Sequence, residues 1–278
     1  MIKMIVTDID GTLMPEASPL PSAEVTGVIS DLLDLGIRVV LASGRPYSSL
    51  QNLFPALGDR LTFLCSNGSV VMEGSKPLRA VPIGTDEEIS RLLAYARGRG
   101  EAWHVDSWAK SFTESDDQAY LDMVTGVGVD IEKVDNVEAL GVPLTKLSIV
   151  YPDGPDAHYF DPDIEAYKKK FSVAPAGLVF MDFNRIDINK GSAVRHICET
   201  YGIGPDEYMV FGDAMNDLSM LAPAKNSWCS VRSVDALKEA CAHTFAPPEE
   251  GGVIGILKEL AAETRREQRV LNPSSDSL

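Results

Sequence analysis

Residues 2–13 read IKMIVTDIDGTL, and this stretch decides the fold class. The run from Ile2 to Thr7 is apolar and β-branched, and it breaks at DIDGT (residues 8–12), as a buried parallel strand does at its end. On a continuing strand, two carboxylates two residues apart would point to opposite faces. The turn after the strand is therefore needed to bring Asp10 round toward Asp8. We expect a strand that presents two acidic side chains at its carboxyl end.

The chain after this strand alternates between helical and strand patterns. The predicted elements are a helix at 22–35, a buried strand at 37–41, a helix with Pro46 in its first turn, a strand at 61–65 and a hairpin arm at 70–72. Such alternation predicts an α/β fold with a Rossmann-like parallel sheet.

From about residue 82 the pattern changes to an α+β one, with helix candidates at 86–97, 117–124 and 157–170 between short alternating stretches. The α/β pattern resumes with a strand at 186–188, a helix from 189 to about 201 and a strand at 208–211. We therefore predict a discontinuous core domain of residues 1–81 and 181–262, an inserted α+β cap domain of residues 82–180, and a frayed tail of residues 263–278 without apolar periodicity.

The composition of the chain argues against several classes of protein. The 278 residues carry 41 Asp and Glu against 25 Lys and Arg, for a net charge of −16, so a nucleic-acid backbone would be repelled. No apolar run is long enough to span a bilayer or to form a signal peptide, which predicts no membrane partner and a cytoplasmic location. The four cysteines and four histidines show no local metal spacing, so we assign them no metal.

Four polar clusters follow predicted strands or open a predicted helix. They are Asp8 with Asp10, Ser43-Gly44-Arg45, Lys190, and Asp213 with Asn216-Asp217. Each alone is also typical of a turn, a helix cap or a solvated lysine. Ligands of open parallel sheets bind outside the carboxyl ends of the strands, so we expect all four clusters to converge in one crevice.

The converging residue types suit one reaction. An exposed pair of carboxylates is costly without a cation. Mg²⁺ suits this pair because it prefers oxygen ligands and can also bind phosphate oxygens of a substrate. Ser43, the Gly44 amide and the helix begun by Pro46 would form a phosphate cradle, to which Lys190 and Arg45 add positive charge.

The motifs DIDGTL (8–13), ASGRP (42–46), NKG (189–191) and GDAMND (212–217) resemble, in order and spacing, the four motifs of the haloacid dehalogenase superfamily of phosphohydrolases. The GDxxND pattern, the loop Ser66-Asn67-Gly68 and the insertion between the second and third motifs resemble its Cof-type sugar-phosphatase branch. The likeness covers nearly the whole chain.

The resemblance implies a role for each residue. Asp8 would be the nucleophile, and Asp10 the general acid and base. Asp8, the Asp10 main-chain carbonyl and Asp213 would hold Mg²⁺, while Ser43 and Lys190 bind the phosphoryl group. Asn216 and Asp217 would orient Lys190 and the metal waters, with Asp217 also a candidate metal residue. Candidate substrate-binding residues are Ser43, Gly44, Arg45, Asn67, Lys190 and Asn216.

The expected activity is a Mg²⁺-dependent phosphatase acting on a small phosphorylated metabolite. A phosphomutase of the phosphomannomutase type and a non-enzymatic, phosphate-accepting receiver-like domain are the alternatives. Residues 227–232, SWCSVR, depart from the usual sequence after the fourth motif, although a strand there is still expected. Trp103, His104 and Trp108 are interpreted as packing residues rather than as a substrate pocket.

Overall fold

The computed structural model describes residues 1–16, 18–126, 128–176 and 178–271. Strands and α-helices are numbered along the chain. The strands are β1 (Met4–Asp8), β2 (Arg38–Ala42), β3 (Thr62–Cys65), β4 (Val70–Glu73), β5 (Lys76–Ala80), β6 (Trp103–Asp106), β7 (Ser111–Thr113), β8 (Ile131–Lys133), β9 (Lys146–Val150), β10 (Phe171–Ala176), β11 (Phe180–Arg185), β12 (Tyr208–Gly212), β13 (Asn226–Ser230) and β14 (His243–Phe245). The α-helices are α1 (Ala23–Asp34), α2 (Tyr47–Leu53), α3 (Asp86–Arg99), α4 (Gln118–Gly126), α5 (Pro162–Tyr167), α6 (Lys190–Tyr201), α7 (Leu218–Leu221), α8 (Asp235–Ala240) and α9 (Gly252–Leu271).

The chain divides into two compact units. Unit one comprises Met1–Ser43, Leu53–Thr62 and the chain from Lys190 onward, and unit two comprises Gly44–Asn52 and Phe63–Asn189. Across the described ranges, no helix is both long enough and apolar enough to cross a bilayer.

Unit one contains parallel strands in the order β14-β13-β12-β1-β2. Every residue of β1 and β12 is buried, as expected for parallel strands covered on both faces. The pairing places Asp8 beside Ala42 and aligns β1 with β12, so the carboxyl ends of β1, β2 and β12 meet at one edge. This confirms the predicted parallel α/β sheet.

Unit two contains a six-stranded sheet in the order β10-β11-β9-β6-β7-β8, in which only β7 and β8 pair in parallel. One face of this sheet packs against α3 and α5 in an apolar core. That core includes Trp103, Val105, Leu147, Ile149, Met181 and Phe183 from the strands and Leu92, Leu93, Ala96 and Ile164 from the helices. The predicted α+β pattern and the packing role of Trp103 are confirmed, as is the hairpin of β4 with β5.

Two predicted elements of this region are wrong. Residues 186–188 form a turn, and Ile186 is exposed; the strand lies earlier, in β11, where its alternating side chains fit between β9 and β10. The helix predicted at 157–170 is reduced to α5 after a separate 3₁₀ turn at Pro155–His158. Proline lacks the amide proton that a continuing helix needs, so Pro162 begins a new helix.

The tail predicted at 263–278 is also wrong over residues 263–271, which belong to α9. The buried residues of α9 follow helical spacing and include Val253, Leu257, Ala261 and Thr264. Because Ala and Thr are only weakly apolar, this spacing does not stand out in the sequence. The Gln268 side chain donates a hydrogen bond to the Leu35 carbonyl (3.1 Å), which ties this end of α9 to the end of α1. The rest of the predicted tail, 272–278, lies outside the described residues.

Candidate active site

Lys190 is the central charge of the candidate site in unit one. It is the first residue of α6 and is 1% exposed. Its Nζ atom lies 2.5 Å from Asp8 Oδ1 and 2.6 Å from Asp217 Oδ1. A buried ammonium group is costly unless it is paired and hydrogen-bonded, so these two carboxylates fix where the charge can lie.

Gly191 allows α6 to begin at this place. A Cβ atom on Gly191 would lie 1.9 Å from the Ser219 carbonyl oxygen, which no side chain could tolerate. The Gly191 amide donates to Ser219 Oγ at 3.0 Å. The glycine after the lysine is therefore a packing requirement that keeps the start of α6 against α7.

Asp217 holds the turn that follows β12. Its Oδ2 atom accepts hydrogen bonds from the amides of Asp213 (3.0 Å) and Ala214 (3.1 Å), while Oδ1 accepts from Lys190. The side chain is fully buried. With both oxygens engaged, Asp217 is suited to positioning Lys190 and the Asp213 backbone.

Asp213 lies against the turn that follows β1. Thr12 Oγ1 donates to Asp213 Oδ1 at 2.5 Å, and Ser233 Oγ donates to the Asp213 carbonyl at 2.7 Å. Gly11 has a φ of +83°, and a Cβ atom there would lie 2.8 Å from Asp213 Oδ2. The glycine of the first motif is thus required both by its left-handed backbone and by the close approach of Asp213.

The site holds more negative than positive charge. Burial raises the pKa of Asp8 to about 7; the Asp217 and Asp213 carboxylates add to the rise, and Lys190 opposes it. Burial likewise raises the pKa of Asp213. For Lys190 burial acts in the other direction, but Asp8 and Asp217 outweigh it and hold the lysine pKa above its ordinary value. Ionised together, three carboxylates against one ammonium leave an excess of two negative charges.

This excess fits a divalent cation. Asp8, Asp213 and Asp217 each offer a carboxylate oxygen, and these oxygens lie within 4.8 Å of one another. Oxygen ligands of this kind are those that Mg²⁺ prefers, and its charge would offset the excess.

The other predicted residues of unit one lie on the same elements. Asp10 belongs to the turn after β1, where its backbone forms an isolated β-bridge with Met14. Ser43 is buried and directly follows β2. Asn216 is exposed on the 3₁₀ turn at Met215–Asp217, beside Asp217. The structure therefore brings Asp8, Asp213, Asp217 and Lys190 into one cluster.

Gly44, Arg45 and Asn67 lie together in unit two. A Cβ atom on Gly44 would lie 3.3 Å from Asn67 Oδ1, and the Arg45 carbonyl accepts a hydrogen bond from the Ser66 amide at 2.9 Å. Ser66 and Asn67 have φ values of +47° and +55°, which are uncommon for residues other than glycine. Strained backbone of this kind clusters at functional sites, so the loop is a candidate binding element.

Sequence reasoning missed three residues that support the cluster. Thr12, Ser219 and Ser233 bind acidic or backbone groups of the motifs, as described above. Thr12 stood inside the first motif and could have been found there. Ser219 and Ser233 are ordinary hydroxyl residues in the sequence, and only the folded chain brings them to the cluster.

Comparisons with known proteins show which family the chain resembles. Residues 5–257 match the family described as haloacid dehalogenase-like hydrolase. The chain is 28% identical to a phosphoglycolate phosphatase of Methanoculleus marisnigri (81% of this chain, 82% of that one). It is 22% identical to the 5-amino-6-(5-phospho-D-ribitylamino)uracil phosphatase of Escherichia coli (93% and 96%). A crystal structure from Eubacterium rectale is similar with a TM-score of 0.81 and 29% identity (93% and 99%).

The raised pKa of Asp8 gives a test of the site's charge balance. Asp8 ionises near pH 7 when folded and near pH 4 when unfolded, so its ionisation disfavours the fold increasingly between these values. The Asn side chain of the Asp8→Asn variant cannot ionise, but its amide oxygen can still accept a hydrogen bond from Lys190. In EDTA we expect this variant to raise the free energy of unfolding by about 1–4 kcal/mol at pH 8.5, and by about a third as much at pH 5.

Urea unfolding of the wild type and the variant at both pH values measures this difference. Asp59→Asn, at an exposed position of unit one, is the matched control and should show no such change with pH. A variant that is less stable than the wild type at pH 8.5 would mean that the Asp8–Lys190 ion pair outweighs the cost of burying the Asp8 carboxylate, which would contradict the raised pKa of Asp8.

Proposed function

Because the chain belongs to the haloacid dehalogenase-like hydrolase family and is a phosphoric monoester hydrolase, we propose that it uses Mg²⁺ and a phosphorylated Asp8 to hydrolyse the phosphate ester of a small metabolite. The observation that carries this proposal is the contact of Lys190 with both Asp8 and Asp217 beside Asp213. This contact supports the proposal because three carboxylates and a fixed positive charge lie together at one edge of the sheet.

The relatives support a small phosphorylated substrate without selecting one. One is named for phosphoglycolate and another for a ribitylaminouracil phosphate. These substrates share the phosphate ester and differ in the rest of the molecule. The residues of the cluster in unit one would therefore act on the phosphoryl group, which is common to both.

In the first proposed step, a carboxylate oxygen of Asp8 attacks phosphorus and the ester oxygen leaves. Asp10 donates its proton to that oxygen, so an alcohol departs and Asp8 carries an acyl phosphate. Lys190 neutralises charge on the phosphoryl oxygens, and Ser43 donates a hydrogen bond to them. Asp217 keeps Lys190 in place through the contact already described.

In the second proposed step, Asp10 takes a proton from water, and the oxygen of that water attacks phosphorus. The bond between phosphorus and the Asp8 oxygen breaks, which releases inorganic phosphate and restores the Asp8 carboxylate. Asp10 is again protonated and ready for another ester. The two steps together add one water to the substrate.

Mg²⁺ would be held by Asp8, the Asp10 main-chain carbonyl and Asp213, and when bound it supplies positive charge that offsets the phosphate dianion. Asp217 borders this set and belongs to the same group of carboxylates. Its two oxygens already accept from Lys190 and from two amides, which favours a positioning role for it.

We propose the domain roles that the motif order predicts. Residues 1–81 and 181–262 would form the catalytic core, and the inserted residues 82–180 would form the cap that selects the ester. Gly44, Arg45, Asn67 and Asn216 stay predicted substrate-binding residues. Their support is the match to the motifs and the strained backbone of the 66–68 loop.

The first test is metal dependence. With p-nitrophenyl phosphate as substrate, phosphate release should exceed the enzyme concentration in Mg²⁺ and fall by at least about a hundredfold in EDTA, because the carboxylates would then face the phosphate dianion without a cation. Added Mg²⁺ should restore the rate.

Two results would contradict the proposal. Full activity in excess EDTA would contradict the role of the metal. Release of one nitrophenol per chain without free phosphate would favour a receiver-like protein, which keeps the phosphoryl group. Asp8→Asn should be inactive in the same assay, with Asp59→Asn as the matched control.

A second test isolates Asp10. Nitrophenolate leaves without much protonation, whereas a sugar alkoxide does not, so Asp10→Asn should slow the first step far more for a sugar phosphate than for p-nitrophenyl phosphate. The second step needs Asp10 with either substrate. Stopped-flow absorbance should therefore show a burst of about one nitrophenol per enzyme, followed by a slow steady rate. Hydrolysis of sugar phosphates by the variant at the wild-type rate would contradict the role of Asp10.

A further inference from the structure

A cavity of about 380 Å³ lies beside Asp213 in unit one. Its other polar wall residues come from the chain after β1, from the end of β13 and the turn that follows, and from the 3₁₀ turn at Pro248–Glu250. They are Glu16, Ser230, Arg232, Ser233 and Glu249. The cavity has room for several water molecules. Asp213 is therefore shared between a hydrated cavity and the cluster of candidate metal ligands.

Residues 230–233, which we call the cavity turn, are tied down within themselves and to a neighbour. The Ser233 amide donates to the Ser230 carbonyl at 3.0 Å, and the Arg232 amide donates to Ser230 Oγ at 3.2 Å. The Arg232 guanidinium lies 2.6 Å from Glu249 Oε1 in the 3₁₀ turn. The cavity turn overlaps the stretch 227–232, where the sequence departs from the usual one after the fourth motif, so the motifs give it no role.

Ser233 connects the cavity turn to Asp213. It is 6% exposed, and its Oγ donates to the Asp213 carbonyl at 2.7 Å. The Asp213 amide is held by Asp217 and the Asp213 carboxylate by Thr12. Three segments of the chain thus fix Asp213 at its amide, its carboxylate and its carbonyl. Ser233 is the member of this set that lies outside the four motifs.

The charges around the cavity favour a cation over an anion. Glu16, Asp213 and Glu249 are acidic, and Arg232 already pairs with Glu249. Burial raises the pKa of Asp213, and the Asp217 and Glu16 carboxylates add to the rise. A phosphate or carboxylate of a substrate would be repelled here, whereas a hydrated cation at Asp213 would be attracted.

The fixed position of Asp213 bears on which cation binds. Mg²⁺ requires nearly octahedral geometry at oxygen distances of about 2.1 Å, whereas Ca²⁺ accepts longer distances and variable geometry. A carboxylate that moves from its place therefore weakens the binding of Mg²⁺ more than that of Ca²⁺. Partners that hold a ligand in place typically change metal affinity by about 10- to 100-fold.

We propose that Ser233 is a positioning residue that raises the affinity of the candidate metal site for Mg²⁺ relative to Ca²⁺. It acts by holding the backbone of Asp213, so that the carboxylate stays where an octahedral ion requires it. The proposal rests on the metal role proposed above. It goes beyond that role because it assigns ion selectivity to a residue outside the four motifs.

Titration calorimetry with MgCl₂ and with CaCl₂ at pH 8 measures both Kd values without any substrate. For Ser233→Ala we expect Kd for Mg²⁺ to rise by about tenfold and Kd for Ca²⁺ by less than about threefold. The ratio of the two Kd values should therefore shift toward Ca²⁺. A ratio equal to that of the wild type would overturn the proposal.

Ser227→Ala is the matched control for the loss of a buried hydroxyl. Ser227 is 1% exposed on β13, and its Oγ accepts a hydrogen bond from the Ala242 amide at 3.1 Å. This variant should keep the wild-type ratio even where its melting temperature falls. Ser233→Thr retains the hydroxyl and should keep the ratio within about threefold of the wild type. A shifted ratio in Ser227→Ala, or the same shift in Ser233→Thr as in Ser233→Ala, would overturn the assignment to the Ser233 hydroxyl.

Glu16→Gln separates the effect of geometry from the effect of charge. It removes one negative charge from the cavity wall, so it should weaken both ions equally, by about threefold at low salt and by less at high salt. Glu259→Gln, at an exposed position of α9, is its control and should change neither Kd. If Ser233→Ala also weakens both ions equally, Ser233 does not act on selectivity and the proposal fails.

The titrations separate this proposal from the proposed catalysis. Should the protein hydrolyse no ester yet show the predicted shift in Ser233→Ala, the proposed function fails and the role of Ser233 stands. Should it hydrolyse esters only in Mg²⁺ while Ser233→Ala keeps the wild-type ratio, the role of Ser233 fails alone.

Discussion

The buried ammonium of Lys190 is the constraint on which the candidate site depends. It lies within 2.6 Å of carboxylate oxygens from two segments far apart in the chain, at the end of β1 and after β12. Because an unpaired charge cannot be buried at this depth, α6 must begin where Asp8 and Asp217 converge. Asp217 extends this constraint to Asp213, because its second oxygen accepts hydrogen bonds from the two amides of the turn that carries Asp213.

The parallel sheet makes this convergence possible. Parallel pairing of β1 with β2 and β12 brings three strand ends to one edge, so residues near positions 8, 43 and 213 become neighbours. Two glycines then complete the site: Gly11 leaves room for Asp213, and Gly191 leaves room for α7. Unit two contains a sheet with one apolar face and one buried polar face, and Ser66 joins the polar face to a strained loop.

The sequence predicted the parts of the molecule whose signals are local. The strand before Asp8 and the end of β12 at Gly212 follow from apolar runs that stop at or just before polar residues. The sequence did not predict that His104, Asp106, Lys146, Ser148, Asp182 and Asn184 share one buried polar surface, because these residues belong to three strands that only antiparallel pairing brings together. The end of α9 was missed because Ala261 and Thr264 are buried but weakly apolar, and β11 was misplaced because two isoleucines in a turn looked more strand-like than its alternating residues.

If the phosphoryl group passes through Asp8, a rapid-quench experiment will find it attached to this residue during turnover. The wild-type protein in Mg²⁺ is mixed with a phosphate ester radiolabelled in its phosphate and quenched in acid within milliseconds. We expect label on the peptide that contains Asp8. This label should rise before steady-state release, be removed by hydroxylamine and be absent from Asp8→Asn. Pre-steady-state release of labelled phosphate with no label on the protein at any quench time would contradict this expectation.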